Sequence, residues 1–386
     1  MQIFNFDLNI EEIQFDKKYL IATGILLVIG LIILYSASTY MAEARYGEPY
    51  QFIVKQLVNI LIGGALSSFI FFFTDYRGLE NYSKLFIGLA ILLLIWTKIY
   101  GEMNPGLRAS RWIMLFGFSF QTSEFVKLAL IIYLASFYHR HRDRLDDFKT
   151  GFLPPLTLIG ISSLLIIIQP DYSTAAVLIM ISAIVMFIGG AKIKHMLVFL
   201  ASFVLVSIVA ILKAPYRMKR ITSIFNSNKD LEGAGYQLHQ SLISLGNGGL
   251  FGEGLGNGVQ KELFLPDCHT DFVFSVAGEE LGFIISTGIL ATYVYLFWRG
   301  IKISMRADKI FGKLLGIGLN ISLFIYVLLN VGVVCGILPV TGLPLPFISY
   351  GGSAMLYTLI VIGITLNISK YNQEKKNYKR DYIIDG

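Results

Sequence analysis

The chain has 386 residues, of which 55% are hydrophobic and only 15% charged, with a net charge of +6. A soluble domain carries about 25% charge, and the apolar residues here come in runs near the roughly 20 residues that cross a bilayer rather than in one-sided faces. Composition therefore excludes a soluble enzyme. It excludes a membrane β-barrel too, whose strands alternate over about 10 residues. Two cysteines are too few for a disulfide framework, and no Cys/His cluster has zinc spacing.

The reading is all-α: an integral membrane protein with about ten transmembrane helices. The spans are expected at 19–39, 52–73, 83–100, 116–138, 152–169, 174–190, 194–212, 272–298, 312–337 and 349–369. Asp7, Glu11, Glu12 and Asp16 precede Lys17-Lys18 and the first span. A cleaved signal opens on a basic region instead, so the first span reads as retained. With the N-terminus inside, cytoplasmic segments collect 20 of the 32 Lys and Arg residues, and six of the 11 on the outer side sit in one long loop. Long loops count little in the positive-inside rule, so both termini read as cytoplasmic. Topology thus explains the basic pI, and no nucleic acid is implied. One membrane domain covers 1–386, and its charged tail, 370–386, is expected to be disordered.

Most connections are short. The stretch His139-Arg140-His141-Arg142-Asp143-Arg144 reads as an orientation signal at a membrane surface. The exception in length is the extracytoplasmic loop 213–271, about 59 residues, well past the roughly 12–15 beyond which loops are functional or disordered. Within it Leu238, Leu242 and Leu245 recur at helical spacing, which predicts a short amphipathic helix over 236–245 at the membrane interface. The glycine-rich run from Gly246 to Gly258 permits close backbone approach to a ligand. It lacks the Gly-Lys-Ser/Thr ending of a P-loop and the dinucleotide spacing. The loop ends in Leu265-Pro266-Asp267-Cys268-His269-Thr270-Asp271-Phe272. A carboxylate at the mouth of a membrane helix is costly to place and so is a functional candidate. The competing reading is that Asp271 or Thr270 caps the helix.

Other charges stand where charge is expensive. Glu124 and Lys127 are three residues apart and share a helix face, as an internal ion pair or as part of a site. Gln169-Pro170-Asp171-Tyr172 places an acid in a tight turn, and Arg217, Lys219 and Arg220 follow span seven, where headgroup contact is the rival role. Glu279 and Glu280 ask for a cationic partner that the sequence does not identify. In this topology Asp171, the basic cluster and Asp271 share the outer side, with Glu124 and Lys127 in the outer half of span four. The functional reading is convergence on an outer cavity. There cations hold a phosphate-bearing lipid, with Arg suited to bidentate contact and Lys to a point charge, and a carboxylate acts on its sugar.

The motifs are familiar as a set. They are Tyr35-Ser36-Ala37-Ser38, Ser110-Arg111-Trp112-Ile113, Ser123-Glu124-Phe125-Val126-Lys127-Leu128, Gln169-Pro170-Asp171, Tyr216-Arg217-Met218 with Gly235-Tyr236-Gln237, Gln240-Ser241-Leu242, Pro266 to Phe274 with Gly278 to Gly282, and Leu338 to Ser353. From about Leu20 to Asn367 the chain resembles the SEDS family of polytopic peptidoglycan polymerases. Ala214-Pro215-Tyr216-Arg217 and Gly254-Leu255-Gly256-Asn257 liken it more to the division branch, FtsW, than to the elongation branch, RodA. It departs from the family pattern at Thr122, Asp267, Gly258 and Asn226-Ser227, none of which is the acid carried over as catalytic.

The resemblance implies polymerisation of lipid II at the outer face of the bacterial cytoplasmic membrane. The acceptor 4-hydroxyl attacks the donor anomeric carbon, and undecaprenyl pyrophosphate leaves with inversion. Such a step needs a base and positive charge at the leaving group. Asp271 matches the catalytic acid as general base. Arg111, Lys127, Arg217 and Arg220 are matched to the pyrophosphate, and Glu124, Asp171, Gln237, Gln240 and His269 to the cavity wall. Glycines and prolines near the ends of spans nine and ten are expected to bend those helices and open a groove for the polyprenyl tail. A divalent cation, Mg2+ or Mn2+, near Asp271 is considered, with no ligand set fixed by sequence. Implied partners are a class B penicillin-binding protein transpeptidase, divisome proteins and membrane lipids. A lipid II flippase and a noncatalytic scaffold stay open as rivals.

Overall fold

A computed structural model describes residues 14–103, 111–115, 118–212, 218, 233–262 and 264–384. The expected spans correspond to α1 (Lys17–Tyr46), α2 (Gln51–Phe73), α3 (Ser83–Met103), α4 (Thr122–Arg140), α5 (Leu153–Ile168), α6 (Tyr172–Ile188), α7 (Ile193–Leu212), α9 (Val273–Met305), α10 (Ile310–Val334) and α11 (Gly352–Ile384), with α8 (Ala234–Asn247) in the long loop. Among the described residues seven helices are long and apolar enough to cross a membrane, and α6 is apolar but shorter. Local chemistry sets the ends. The Asp16 carboxylate accepts from Tyr19 N–H at 3.0 Å to start α1, and Gly47 in the left-handed region stops it. Asp171 accepts from Thr174 N–H to start α6.

Two expectations need correction. The fourth span does not begin at 116. Trp112–Leu115 (β1) and Phe118–Gln121 (β2) pair antiparallel, with Trp112 opposite Gln121, so α4 starts at Thr122. These segments are rich in aromatic and β-forming residues, which suit a pleated ribbon better than a helix. The tail is not disordered: α11 continues without a break to Ile384, because helix formation propagates cheaply from an already packed nucleus. The helix expected within the long loop forms as α8, over Ala234–Asn247, and packs on α9 and α10, with Leu238, Ser241 and Ser244 buried. The Ser241 hydroxyl donates to Val334 O at 2.9 Å and shares a 2.6 Å hydrogen bond with Ser275 Oγ.

The core runs through α10, α11 and α4, most of whose residues are buried. At the basic end, polar side chains tie helices together. Asn367 Nδ2 donates to Ile70, Phe71 and Thr74 carbonyls, and its Oδ1 accepts from Tyr76 N–H. Arg299 pairs with Asp16. Groups without access to water must find partners inside the protein, and these do.

The bend expected in spans nine and ten falls instead in α9, where Gly282 has φ 75° and ψ 179°. The break frees carbonyls and N–H groups, and the glycine-rich loop takes them up. Glu253 and Gly254 N–H donate to Glu279 and Glu280 O, both at 3.0 Å, while Phe283 and Ile284 N–H donate to Gly249 and Leu250 O. The chains meet backbone to backbone: a Cβ at Gly282 would stand 2.3 Å from Gly252 N, and one at Gly252 2.2 Å from Glu280 O. The glycines thus permit close approach, as read from sequence, but the approach is to α9. Gly282→Ala is expected to cost about 1–3 kcal/mol from the positive φ alone, read as a lower melting temperature of the purified chain. A same-sized change at Gly288, where nothing lies within 4 Å, leaves it unchanged.

Candidate active site

The His269-Thr270-Asp271 segment lies at the end of the bundle away from the chain termini, where α1 ends and α2 begins. Cys268 Sγ donates to Ala37 O at 3.2 Å, and the His269 ring packs against Phe52, centroids 4.6 Å apart and planes tilted by 42°. The loop between α10 and α11 wraps the segment. Three successive carbonyls of the segment are each held: His269 O by Tyr350 N–H at 2.9 Å, Thr270 O by the Ser349 hydroxyl, and Asp271 O by Asn330 Nδ2 at 2.7 Å. Asn330 also donates to Leu343 O at 2.8 Å, and Ser349 accepts from Leu345 N–H at 2.8 Å, so the same two side chains shape the loop. The Asp271 backbone is thereby fixed while its side chain is only partly buried. Gly342, at φ 72°, lies against the carboxylate; a Cβ there would stand 3.3 Å from Asp271 Oδ2. The N-cap of α9 is Phe272, without a side-chain cap, and Thr270 Oγ1 donates backward to Asp267 O.

Asp267 at φ 55° and Phe347 at φ 69° flank this arrangement. Backbone held in that region costs about 1–3 kcal/mol for an ordinary residue and concentrates at functional loops. Burial lowers the His269 pKa below its usual 6.5, opposed by Asp267 and reinforced by Arg45. The folded state therefore favours neutral imidazole. Its contribution to stability is complete above about pH 6.5 and falls as pH drops through that value towards the folded pKa. The protection factors of amides 265–272, which correct exchange rates for their intrinsic pH dependence, are expected to fall on acidification in the native chain and to lose that fall in His269→Gln. Burial also pushes the Cys268 thiol up to about 12, and Cys268 is buried where Cys335 is exposed. A maleimide is expected to label Cys335 in the folded chain and to reach Cys268 only after denaturation.

A second group of predicted residues gathers on α4. Lys127 Nζ lies 2.8 Å from Glu124 Oε2, both side chains almost wholly buried, and 3.8 and 3.9 Å from the Tyr326 and Tyr357 ring centroids. Tyr326 is four residues from Asn330 on α10, and Tyr357 four from Ser353 on α11. The cage around Lys127 thus sits one helical turn, about 6 Å, beneath the residues that hold the motif loop. Ser353 Oγ accepts from Gln121 N–H at 2.8 Å, and Gln121 Nε2 donates to Asp171 Oδ2 at 3.4 Å. Arg111 lies 3.9 Å from Asp171 and donates to the Gln169 and Pro170 carbonyls. Arg111, Asp171, Glu124 and Lys127 are therefore linked to the Asp271 loop through the start of α11. Gln237 and Gln240 are partly buried on α8. Arg217 and Arg220, with Lys219, lie outside the described residues.

Glu279 and Glu280 serve the glycine-rich loop. Glu280 has the cationic partner that the sequence left unnamed, Lys261 at 2.5 Å, with the Ser36 hydroxyl at 2.7 Å. Glu279 accepts from Ser244 Oγ and from Val259 and Gln260 N–H. Reading the sequence for charge overlooked Asn330, Ser349, Tyr326 and Gln56. Asn330 was the most accessible, being a polar side chain in an apolar span. Among the described residues no group of three His, Cys, Asp or Glu side chains converges.

Fold and site together define a polytopic helical membrane protein with a clamped carboxylate at one end of the bundle. A family model described as cell cycle protein, covering FtsW, RodA and SpoVE, matches residues 17–374, and the chain belongs to that family. It is 40% identical over 361 residues to stage V sporulation protein E of Bacillus subtilis, covering 93% of this chain and 98% of that protein. It is 37% identical over 366 residues to a probable peptidoglycan glycosyltransferase FtsW of Geobacter sulfurreducens, covering 95% and 98%. Among solved structures it is similar to a chain of a peptidoglycan synthase complex in which polymerisation and crosslinking are coordinated, with TM-score 0.76, 26% identity and coverage of 93% and 98%. The rod shape determining protein RodA of Thermus thermophilus superposes with TM-score 0.68 at 25% identity, covering 93% and 98%.

Proposed function

We propose that this protein is a peptidoglycan glycosyltransferase that polymerises lipid II at the outer face of the bacterial cytoplasmic membrane, in division or septal wall synthesis. The observation that carries the reading is the triple carbonyl clamp on His269-Thr270-Asp271, which fixes the backbone and leaves the Asp271 carboxylate partly accessible. A general base must be held near the hydroxyl it deprotonates, and such a clamp suits that need. Asp271 takes the proton of the acceptor hydroxyl. Positive charge for the departing pyrophosphate comes from Arg217 and Arg220, with Arg111 in the network linked to the Asp271 loop; Lys127, sealed with Glu124 between two tyrosine rings, supports that network from beneath.

The names of relatives support the chemistry, since proteins about 37% identical over most of the chain are called peptidoglycan glycosyltransferases. Higher identity to sporulation and FtsW proteins than to RodA supports a septal over an elongation role. Similarity to a chain of a synthase complex supports a class B penicillin-binding protein as partner, with divisome proteins around the pair. Lipid II transport is the rival. Against it stands Lys127, which is sealed between two tyrosine rings rather than lining a path.

The test is glycan formation from purified lipid II by the full chain with its cognate transpeptidase, beside lipid II translocation in proteoliposomes. Polymer without translocation is expected. Translocation without polymer sinks the polymerase reading.

A further inference from the structure

At the basic end, α3, α4, the turn Phe148–Phe152 and α5 enclose a cavity of about 390 Å3. Five basic side chains line it, Lys84, Arg140, His141, Arg144 and Lys149, and no carboxylate does. Asp143 adjoins Arg144 in the chain, and the other three acids nearby have partners of their own. Glu80 holds Arg140 at 2.9 Å and faces His139 at 3.8 Å, Asp146 pairs with Lys192 at 3.1 Å, and Asp147 accepts from Thr150 N–H and Oγ1. Among the described residues Lys84, Arg144 and Lys149 make no ion pair within 4 Å. Three such cations around one cavity are more than orientation of the chain requires, because the positive-inside effect depends on their side of the membrane and not on convergence.

The frame of the cavity is built rather than loose. A Cβ at Gly151 would stand 2.4 Å from Arg144 O, so the turn bearing Arg144 lies directly on the segment bearing Lys149. His141 stacks on Phe137 at 4.5 Å. Hydroxyls of Ser83, Ser136 and Thr150 add polar contacts, and the first turns of α3 and α5 add the positive ends of two helix dipoles. The opposite wall is apolar, from Tyr133, Phe137 and Pro154, and exposed Phe148 and Leu153 continue that surface outward. A basic pocket between transmembrane helices at the headgroup level, opening onto apolar surface, has the chemistry of an anionic lipid site.

We propose that this cavity binds the phosphate-bearing headgroup of an anionic phospholipid from the cytoplasmic leaflet. Phosphate lies against Lys84, Arg144 and Lys149, and the acyl chains leave past Phe148 and Leu153. A soluble phosphate compound would satisfy the cations and leave the apolar wall unused.

The proposal is tested on the detergent-solubilised full chain by native mass spectrometry, titrating short-chain phosphatidylglycerol against phosphatidylcholine. The variants are Lys84→Gln/Arg144→Gln/Lys149→Gln and, as control, Lys309→Gln/Lys313→Gln, which removes two cations at the same end outside the cavity. The cavity triple variant is expected to bind phosphatidylglycerol about 100-fold more weakly, each cation contributing roughly fivefold, with an unchanged melting temperature. The control keeps wild-type affinity. Equal binding by wild type and the triple variant overturns the proposal. So does displacement of phosphatidylglycerol by inorganic phosphate, which assigns the cavity to a soluble ligand. Neither readout depends on the polymerase activity.

Discussion

Asp271→Asn is expected to lower glycan formation from lipid II by about 10²–10⁴-fold, the range a positioned general base supplies. Its melting temperature should stay at the wild-type value. The two halves of that expectation come from different atoms. The motif is held through its own three backbone carbonyls, which accept from Tyr350 N–H, the Ser349 hydroxyl and Asn330 Nδ2, and the substitution touches none of them. The substitution removes a proton acceptor and keeps the side chain's volume beside Gly342. Had Asp271 been a helix cap, the loss would appear chiefly in stability, at about 0.5–2 kcal/mol. A variant that polymerises at the wild-type rate removes Asp271 as the base. Asn330→Leu supplies the complement. It frees the Asp271 and Leu343 carbonyls together, so it lowers both stability and rate while the carboxylate remains.

Lys127→Met is expected to destabilise the chain by about 3–5 kcal/mol, the cost of leaving one partner of a buried ion pair alone. The Glu124 carboxylate would be sealed close to Tyr326 and Tyr357 with no counter-charge. Glu124→Gln/Lys127→Met removes both charges and is expected to recover most of that loss, because a neutral amide and thioether of similar shape need no counter-ion. Thermal unfolding of wild type, Glu124→Gln, Lys127→Met and the double variant in one detergent gives the coupling energy. The same set separates two roles for Lys127. If the double variant regains stability but not polymerisation, the ammonium serves the substrate; if it regains both, the pair serves packing. The tyrosine cage adds a check. Tyr326→Leu keeps the apolar contact and loses the ring face, so it weakens the pair by about 0.5–2 kcal/mol.

How much of this was legible beforehand differs from element to element. The spans were visible because lipid imposes a length and an apolar composition on each helix. Asp271 stood out because a carboxylate beside an apolar run is costly. Glu124 with Lys127 was visible because helical spacing alone puts them on one face. The hairpin 112–121 was hidden inside what read as the start of a span, since its aromatic and aliphatic residues score as apolar in either conformation. The break in α9 was hidden as well. A glycine is common enough in membrane helices that Gly282 carried no signal until the loop at 249–254 was seen to complete its hydrogen bonds.

The sequence by itself determined the class: a chain of apolar spans with basic segments on one side, and a short list of acids and cations that lipid would not tolerate without purpose. Those are one-dimensional properties, set by what each residue costs in hydrocarbon. Tertiary structure alone decided the partners. Asn330 clamps Asp271, two tyrosines from different helices seal Lys127, and Lys261 pairs with Glu280. Hydrogen bonds and ion pairs across hundreds of residues depend on which faces of packed helices meet, and local spacing does not encode that.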